Sequence, residues 1–310
     1  GTVREASSPG TSSSPGNTPP SGKEGGFASG VLGIAAGARS LREAATRLPE
    51  GRFDLLLDLQ VYFKAGLLTY LTPARVRLGF DRARARDLNW IFTTHRIPPH
   101  PNRFAHIQDQ YFEFLSFLGV DPEPLRFGLR LTGKEKEEQR RFFASFHRPP
   151  CALVLATSNP RKNWEPLGYA EVASRLVSDF GMQPILVGGT SAAEENAARV
   201  ILQQAGESVL DERGGGLRRL LWLLDGSDLV ISPDTGPLHM ARAMETPVIG
   251  LFGFTNPKRS GPYRLFTDLV VDGYTRSPGE PYPVSMERRR DGMGRITPEM
   301  VLEKVALARR

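Results

Sequence analysis

One cysteine, Cys151, stands among 310 residues. A disulfide framework is excluded, and the pattern implies a reducing compartment. No apolar run approaches the ~20 residues that a membrane-spanning helix needs. The five histidines have no metal-ligand spacing, so no metal and no cofactor is expected. The phosphate loop G-x-x-x-x-G-K-[ST], the nucleophile elbow G-x-S-x-G, the zinc motif H-E-x-x-H and the dinucleotide fingerprint G-x-G-x-x-G are all missing. No helix-turn-helix, zinc or RNP-like pattern is present, so nucleic acid is the weaker candidate for an anionic partner. No internal repeat of short period is visible.

What the chain does have is uneven. Residues 1–34 are dominated by Gly, Ser, Pro and Thr, with almost nothing to bury, and read as disordered. They carry no charged segment followed by an apolar one, so they are not a secretory signal. The chain opens on Gly, which reads as a fragment or a processed product. Net charge is +6, and the segment from Arg75 to Arg103 alone holds seven arginines against Asp81 and Asp87, about +5. Such clustering suits an acidic partner, or equally a solvated basic face.

After residue 34 the chain reads as α/β. A helix is expected over Arg39–Leu48, then a strand over Asp54–Gln60 whose apolar run suits burial on both faces. Helices follow at Val61–Leu71, Arg103–Leu118 and Lys134–Phe146. From Cys151 onward strands and helices alternate at βαβ spacing, with strands at Cys151–Thr157, Gln183–Gly188, Ser208–Leu210, Asp228–Ser232 and Pro247–Phe252. That alternation implies a parallel, doubly wound sheet. The expected divisions are 1–34, a partial first domain 35–148, a second domain 149–272, and an irregular segment with a closing helix at 273–310.

Ligands of such sheets bind outside the carboxyl ends of the strands, and the informative residues fall there. The Pro233-Asp234-Thr235-Gly236 turn joins a buried strand to a helix over Gly236–Met244. It leaves backbone N–H groups at the helix N-terminus, where the dipole favours a phosphate. Asp234 is placed to cap the helix or accept from a ligand hydroxyl, and His239 lies one turn in, near the same mouth. Lys162, after the first strand of this sheet, is either a solvated charge or a partner for a diphosphate; beside Asp234 and His239 the second reading is the better one. Glu194 follows Gly188-Gly189 and forms S-x-x-E with Ser191. It reads equally as a helix-capping carboxylate or as an acceptor for donor hydroxyls, with Glu195 competing. Trp164 reads as packing.

With these residues in view, the chain resembles glycosyltransferase family 9, the lipopolysaccharide heptosyltransferases. The resemblance is carried by Asp234-Thr235-Gly236-x-x-His239, Ala241, Ala243, Pro247 and Phe252-Gly253-x-Thr255-x-Pro257. It is supported by Lys162-x-Trp164, Gly188-Gly189 with Glu194, and Asp58-Leu-Gln60 with Lys64. It implies a GT-B architecture of two Rossmann-like domains, the first incomplete here. It also implies heptose transfer from ADP-heptose to the lipopolysaccharide inner core with inversion. On that basis Lys162, Glu194, Asp234, Thr235, Gly236 and His239 would bind the donor, and Lys64, Arg84 and Arg86 the acidic acceptor. The family's base aspartate, in a Gly-Asp loop after the first strand, has no counterpart in this chain, which reads as a truncated or mispredicted product. Asp58 is a conceivable substitute, but burial in its strand is the better reading. Two other functions stay open: transfer from another sugar nucleotide, and a remnant that binds a sugar nucleotide without turnover. The acceptor would place the protein in the cytoplasm, in peripheral contact with the inner membrane.

Overall fold

The computed structural model describes residues 53–100, 104–277 and 279–310. The Gly/Ser/Pro tract, the helix expected over Arg39–Leu48, and Arg103 lie outside the described residues. The chain divides into two compact units, the first ending at Arg96 and the second beginning at Ile97.

The first unit contains a parallel sheet in the order β1 (Phe53–Leu57), β2 (Ala74–Gly79), β3 (His95–Arg96), with helix α1 (Phe63–Leu71) crossing from β1 to β2. The crossover closes tightly because Gly66 is bare; a Cβ there would lie 2.3 Å from the Phe92 ring. Strand β1 was expected to be covered on both faces, but Phe53, Leu55 and Leu57 are each exposed by more than a third. The reason is position: β1 pairs with β2 alone among the described residues, so it is an edge. It also ends earlier than expected. Asp58 N–H still donates to Leu78 O, while its side chain accepts from Gln60 N–H, Thr69 Oγ1 and Asn89 Nδ2. The basic segment, read from sequence without strands, supplies both β2 and β3.

The second unit is built on six parallel strands. They are β4 (Pro150–Val154), β5 (Gln183–Val187), β6 (Leu210–Asp211), β7 (Leu229–Pro233), β8 (Val248–Phe252) and β9 (Val270–Asp272), in spatial order β6-β5-β4-β7-β8-β9. Renumbered from its own first strand, this is the 3-2-1-4-5-6 order of the doubly wound dinucleotide-binding fold. Alternate residues of β4 go to opposite faces. Cys151 and Leu153 meet α4 (Pro166–Ser178) and α5 (Ala192–Ala205), while Ala152 and Val154 meet α6 (Gly216–Asp225) and α7 (Gly236–Ala243). Both faces are therefore dry, and each fully buried Leu, Ile or Val contributes roughly 1.5–3 kcal/mol. Cys151 is one of these core residues; burial raises its thiol pKa well above the ordinary value, as befits an inert packing residue.

From sequence the first domain is expected to run to residue 148; the second compact unit begins at Ile97. Helices α2 (Ile107–Phe117) and α3 (Gly133–Phe143) belong to the second unit. On α3, Phe142 and Phe143 pack on Trp222, Gln139 Nε2 donates to Trp222 O at 2.8 Å, and Arg218 pairs with Glu135. Residues 273–310 are likewise no appendage. Val301, Leu302 and Val305 of α9 (Pro298–Ala308) join the core, and Trp164 Nε1 donates to Ile296 O at 3.0 Å.

Candidate functional site

The order of the six-stranded sheet reverses between β4 and β7, and a crevice opens at their carboxyl ends. A cavity of about 310 Å³ lies there, lined by Thr157, Ser158, Asn159 and Lys162 from the loop after β4, and by Asp234, Thr235, Gly236 and His239 from the turn after β7. Two stretches more than seventy residues apart meet because their strands are neighbours.

Each side of the cavity is built locally. After β4, Thr157 Oγ1 donates to Asn159 O at 2.7 Å, and Asn163 Oδ1 accepts from Thr157 N–H at 2.8 Å. These bonds curl residues 160–162 into one turn and send Lys162 inward. Trp164 is the buried floor, packed so closely that a Cβ on Gly168 would lie 2.5 Å from its ring. After β7, Thr235 is the N-cap of α7 in extended conformation, and its side chain makes no capping bond. Its neighbour Gly236 has open space where a Cβ would stand. The helix therefore presents the Gly236 N–H and the positive end of its dipole to the cavity, while Pro237 has no N–H and Leu238 N–H donates to Thr235 O.

Asp234 is the centre of the arrangement. Lys162 Nζ donates to its Oδ2 at 2.8 Å and to its carbonyl oxygen at 3.0 Å. Thr255 Oγ1 donates to Oδ2 at 2.5 Å, and Ser260 Oγ at 3.4 Å. His239 Nε2 stands 3.7 Å from Oδ1, too far for a hydrogen bond. Burial alone would raise the Asp234 pKa, but His239, Lys162 and Thr255 outweigh it and hold the carboxyl at about 2. The site thus contains a fixed carboxylate with an ammonium drawn against it. An incoming diphosphate could engage that ammonium and the Gly236 amide together, while the carboxylate accepts from hydroxyls.

The structure brings together Lys162, Asp234, Thr235, Gly236 and His239 of the residues expected from sequence. Glu194 does not line this cavity. It closes a full capping box on α5, accepting from Ser191 N–H at 2.9 Å and Ser191 Oγ at 2.6 Å, and its other oxygen takes Gly189 N–H at 2.7 Å. Its burial raises the pKa, and the bonds from Ser191 and Gly189 overcome this to lower it. Its loop ends β5, on the same sheet edge with β4 between it and β7. Lys64 and Arg86 are exposed in the first unit. Arg84, expected to reach an acceptor, is instead buried in an ion pair with Asp81 and stacked on Phe80. Sequence reasoning named Thr255 among the residues that carry the resemblance, but assigned no contact to it or to Ser260. Their signal was faint: hydroxyl residues in the Gly253–Pro262 loop at the end of β8. Asp58 is buried, as expected, but just past its strand rather than within it.

Among the described residues no helix is long and apolar enough to cross a membrane, and no group of three or more His, Cys, Asp or Glu could hold a metal ion. The sequence model of glycosyltransferase family 9 (heptosyltransferase) matches residues 41–278. The lipopolysaccharide core heptosyltransferase OpsX of Haemophilus influenzae is 30% identical over 72% of this chain and 64% of its own length. Lipopolysaccharide heptosyltransferase 1 of Pseudomonas aeruginosa is 27% identical over 72% of this chain and 60% of its own. The chain thus spans less than two thirds of the length of these curated relatives. The structure of the E. coli heptosyltransferase WaaC with ADP superposes with a TM-score of 0.61 at 21% identity, covering 87% of this chain and 78% of that one. The fold is therefore GT-B-like, with two Rossmann-like units and parallel sheets. With the family's own match spanning most of the chain, this chain belongs to glycosyltransferase family 9.

Proposed function

We propose that this chain derives from an inverting glycosyltransferase that moves heptose from ADP-heptose to the lipopolysaccharide inner core. The observation that carries the reading is the Lys162–Asp234 pair facing the α7 N-terminus at the sheet's switch point. A nucleoside diphosphate leaving group needs charge stabilisation as its bond to the sugar breaks, and a pre-set ammonium with an oriented amide supplies it. Asp234, ionised at any physiological pH, would accept from sugar hydroxyls, and His239 would lie beside them. Two relatives named as lipopolysaccharide heptosyltransferases, and a neighbour solved with ADP, support the same donor. Glu194, two strands away on the same edge, would contact the nucleoside side of the donor only by giving up part of its cap.

The acceptor side is proposed on charge. Lys64 and Arg86 would meet the acidic core sugars, and the basic face around them would favour peripheral contact with an anionic membrane from the cytoplasmic side. Arg84 would support that face from below. Inversion also requires a base for the acceptor hydroxyl. Asp58 is engaged by Thr69 and Asn89, so it is held in place rather than poised to take a proton.

A second reading is favoured by the bonds from Thr69 and Asn89 that hold Asp58, which leave no base assigned among the described residues. In it, the second unit binds a sugar nucleotide without transfer. Calorimetric titration with ADP, ADP-heptose and UDP, followed by a turnover assay with core acceptor, separates the two. Binding of ADP-heptose with turnover supports the transferase, and binding without turnover the remnant. A preference for UDP removes the heptose assignment.

A further inference from the structure

The loop from Gly253 to Tyr263 carries two hydroxyls that reach Asp234, those of Thr255 and Ser260. The anchors on its N-terminal side are backbone contacts with residues 289–292. Gly253 abuts Gly292 so closely that a Cβ would lie 2.2 Å from that residue's carbonyl carbon, and Arg289 N–H donates to Phe254 O at 3.0 Å. The opposite side is held from α2. His106, the N-cap of α2, accepts from Gln108 N–H through Nδ1 at 3.1 Å. That bond fixes the tautomer, leaving the proton on Nε2, which donates to Gly261 O at 3.0 Å. Burial lowers the His106 pKa, against the opposing pulls of the Gly261 bond and Asp109. The ring also packs on Tyr263 at 4.9 Å between centroids, and Tyr263 donates to Asp109 one helix position block further along α2.

Gly261 directly follows Ser260 and closes the one-turn helix α8 (Pro257–Ser260) by donating to Pro257 O at 2.8 Å. A Cβ on Gly261 would lie 2.5 Å from that same oxygen. The N–H of Gly261 is thus fixed by α8 and its carbonyl by His106, which leaves Ser260 little freedom. Thr255 sits at the other end of the same turn.

We propose that His106 is a positioning residue: by tethering Gly261 it keeps the hydroxyls of Thr255 and Ser260 on the Asp234 carboxylate. The inference deepens the donor-site reading and rests on it for its effect on catalysis, while the tether itself stands on geometry alone. Two substitutions separate the roles of the imidazole. His106→Asn keeps an N-cap acceptor for α2 but does not reach Gly261. His106→Gln carries an amide N–H to the position of Nε2, which restores the tether.

Hydrogen exchange in the ligand-free protein reads the tether through the adjoining bond from Gly261 N–H to Pro257 O, which loosens when the Gly261 carbonyl is released. Exchange of the Gly261 amide is expected to quicken by about 2- to 10-fold in His106→Asn, the worth of one net hydrogen bond, and to return toward wild type in His106→Gln. With ADP-heptose and core acceptor, kcat is expected to fall by a similar factor in His106→Asn with a smaller change in KM. In a background carrying both Thr255→Val and Ser260→Ala the same substitution adds little, because the hydroxyls it positions are already gone. Unchanged exchange in His106→Asn, or no recovery in His106→Gln, overturns the tether. Fully additive effects on kcat of His106→Asn and the Thr255→Val, Ser260→Ala pair overturn its action through the loop. If the wild-type protein neither binds nor turns over ADP-heptose, the donor-site reading fails, and the exchange measurement still decides the tether.

Discussion

The charged groups of Lys162 and Asp234 lie 2.8 Å apart although 72 positions separate them in the chain. The contact exists because β4 and β7 are adjacent, register-paired strands whose following loops turn toward the same crevice. It combines a nearly buried carboxylate with an ammonium that is still about a quarter exposed, so the cation is the mobile partner. A ligand can therefore draw Lys162 outward without dismantling the fold.

Replacing Lys162 with Ala is expected to weaken ADP binding by about 10- to 100-fold, the worth of one charge-assisted hydrogen bond. Lys162→Arg should rescue poorly, since a planar guanidinium does not reproduce a compact ammonium on a flexible stem. Isothermal calorimetry with ADP measures both. Wild-type affinity in Lys162→Ala would remove the residue from the site.

Asp234→Asn tests the depressed carboxyl. The folded pKa of about 2 lies below the ordinary 3.8, so ionisation of Asp234 stabilises the fold above the unfolded value, and this is lost as pH falls toward 2. The shift corresponds to about 2 kcal/mol at neutral pH. Urea unfolding should show Asp234→Asn less stable by that order at pH near 7, with the gap closing between about pH 4 and pH 2. A gap that stays constant across that window would mean the ionisation is not linked to folding.

At Glu194 two roles are separable. Glu194→Gln can still close the capping box, so stability should stay near wild type, whereas Glu194→Ala should cost about 1 kcal/mol. Thermal melts of the two variants give the cap. Titration of Glu194→Gln with ADP-heptose then gives the role in binding, because only a ligand contact that needs the charge is affected.

The arginines of the basic segment should divide by burial. Arg84→Ala leaves Asp81 buried without its partner and is expected to destabilise by about 3 kcal/mol, as buried pairs do when one member is removed. Arg86→Ala, at an exposed position, should leave stability within about 0.5 kcal/mol of wild type. Its effect should appear instead in the KM for the core acceptor. Denaturant unfolding and acceptor kinetics on the two variants check the division.

Much of the second unit was legible before any coordinates. Its strands are short apolar runs that cannot be exposed, so five of them fell within a few residues of their expected places. β9 was missed because its three residues, Val270–Asp272, are too short to show a period. β2 was missed because Arg75 and Arg77 read as charge, although Ala74-Arg75-Val76-Arg77-Leu78 alternates as a half-buried strand does. What α3 packs against was not legible, because the helix is strongly charged, with no buried residue of its own, and only Phe142 and Phe143 at its end touch the core.

The sequence by itself determined that the second unit would be a parallel α/β sheet with Asp234, Thr235 and Gly236 opening a helix, because hydrophobic period and turn chemistry are local properties. It also marked Lys162, Glu194 and His239 as groups at strand ends. Which of them meet was decided only by strand order. Placing β4 beside β7 joins Lys162 to Asp234, and leaving β5 on the far side of β4 keeps Glu194 at its cap. The same holds for Arg84, whose charge is plain in the chain and whose burial against Asp81 is not, since burial depends on everything that folds around a residue.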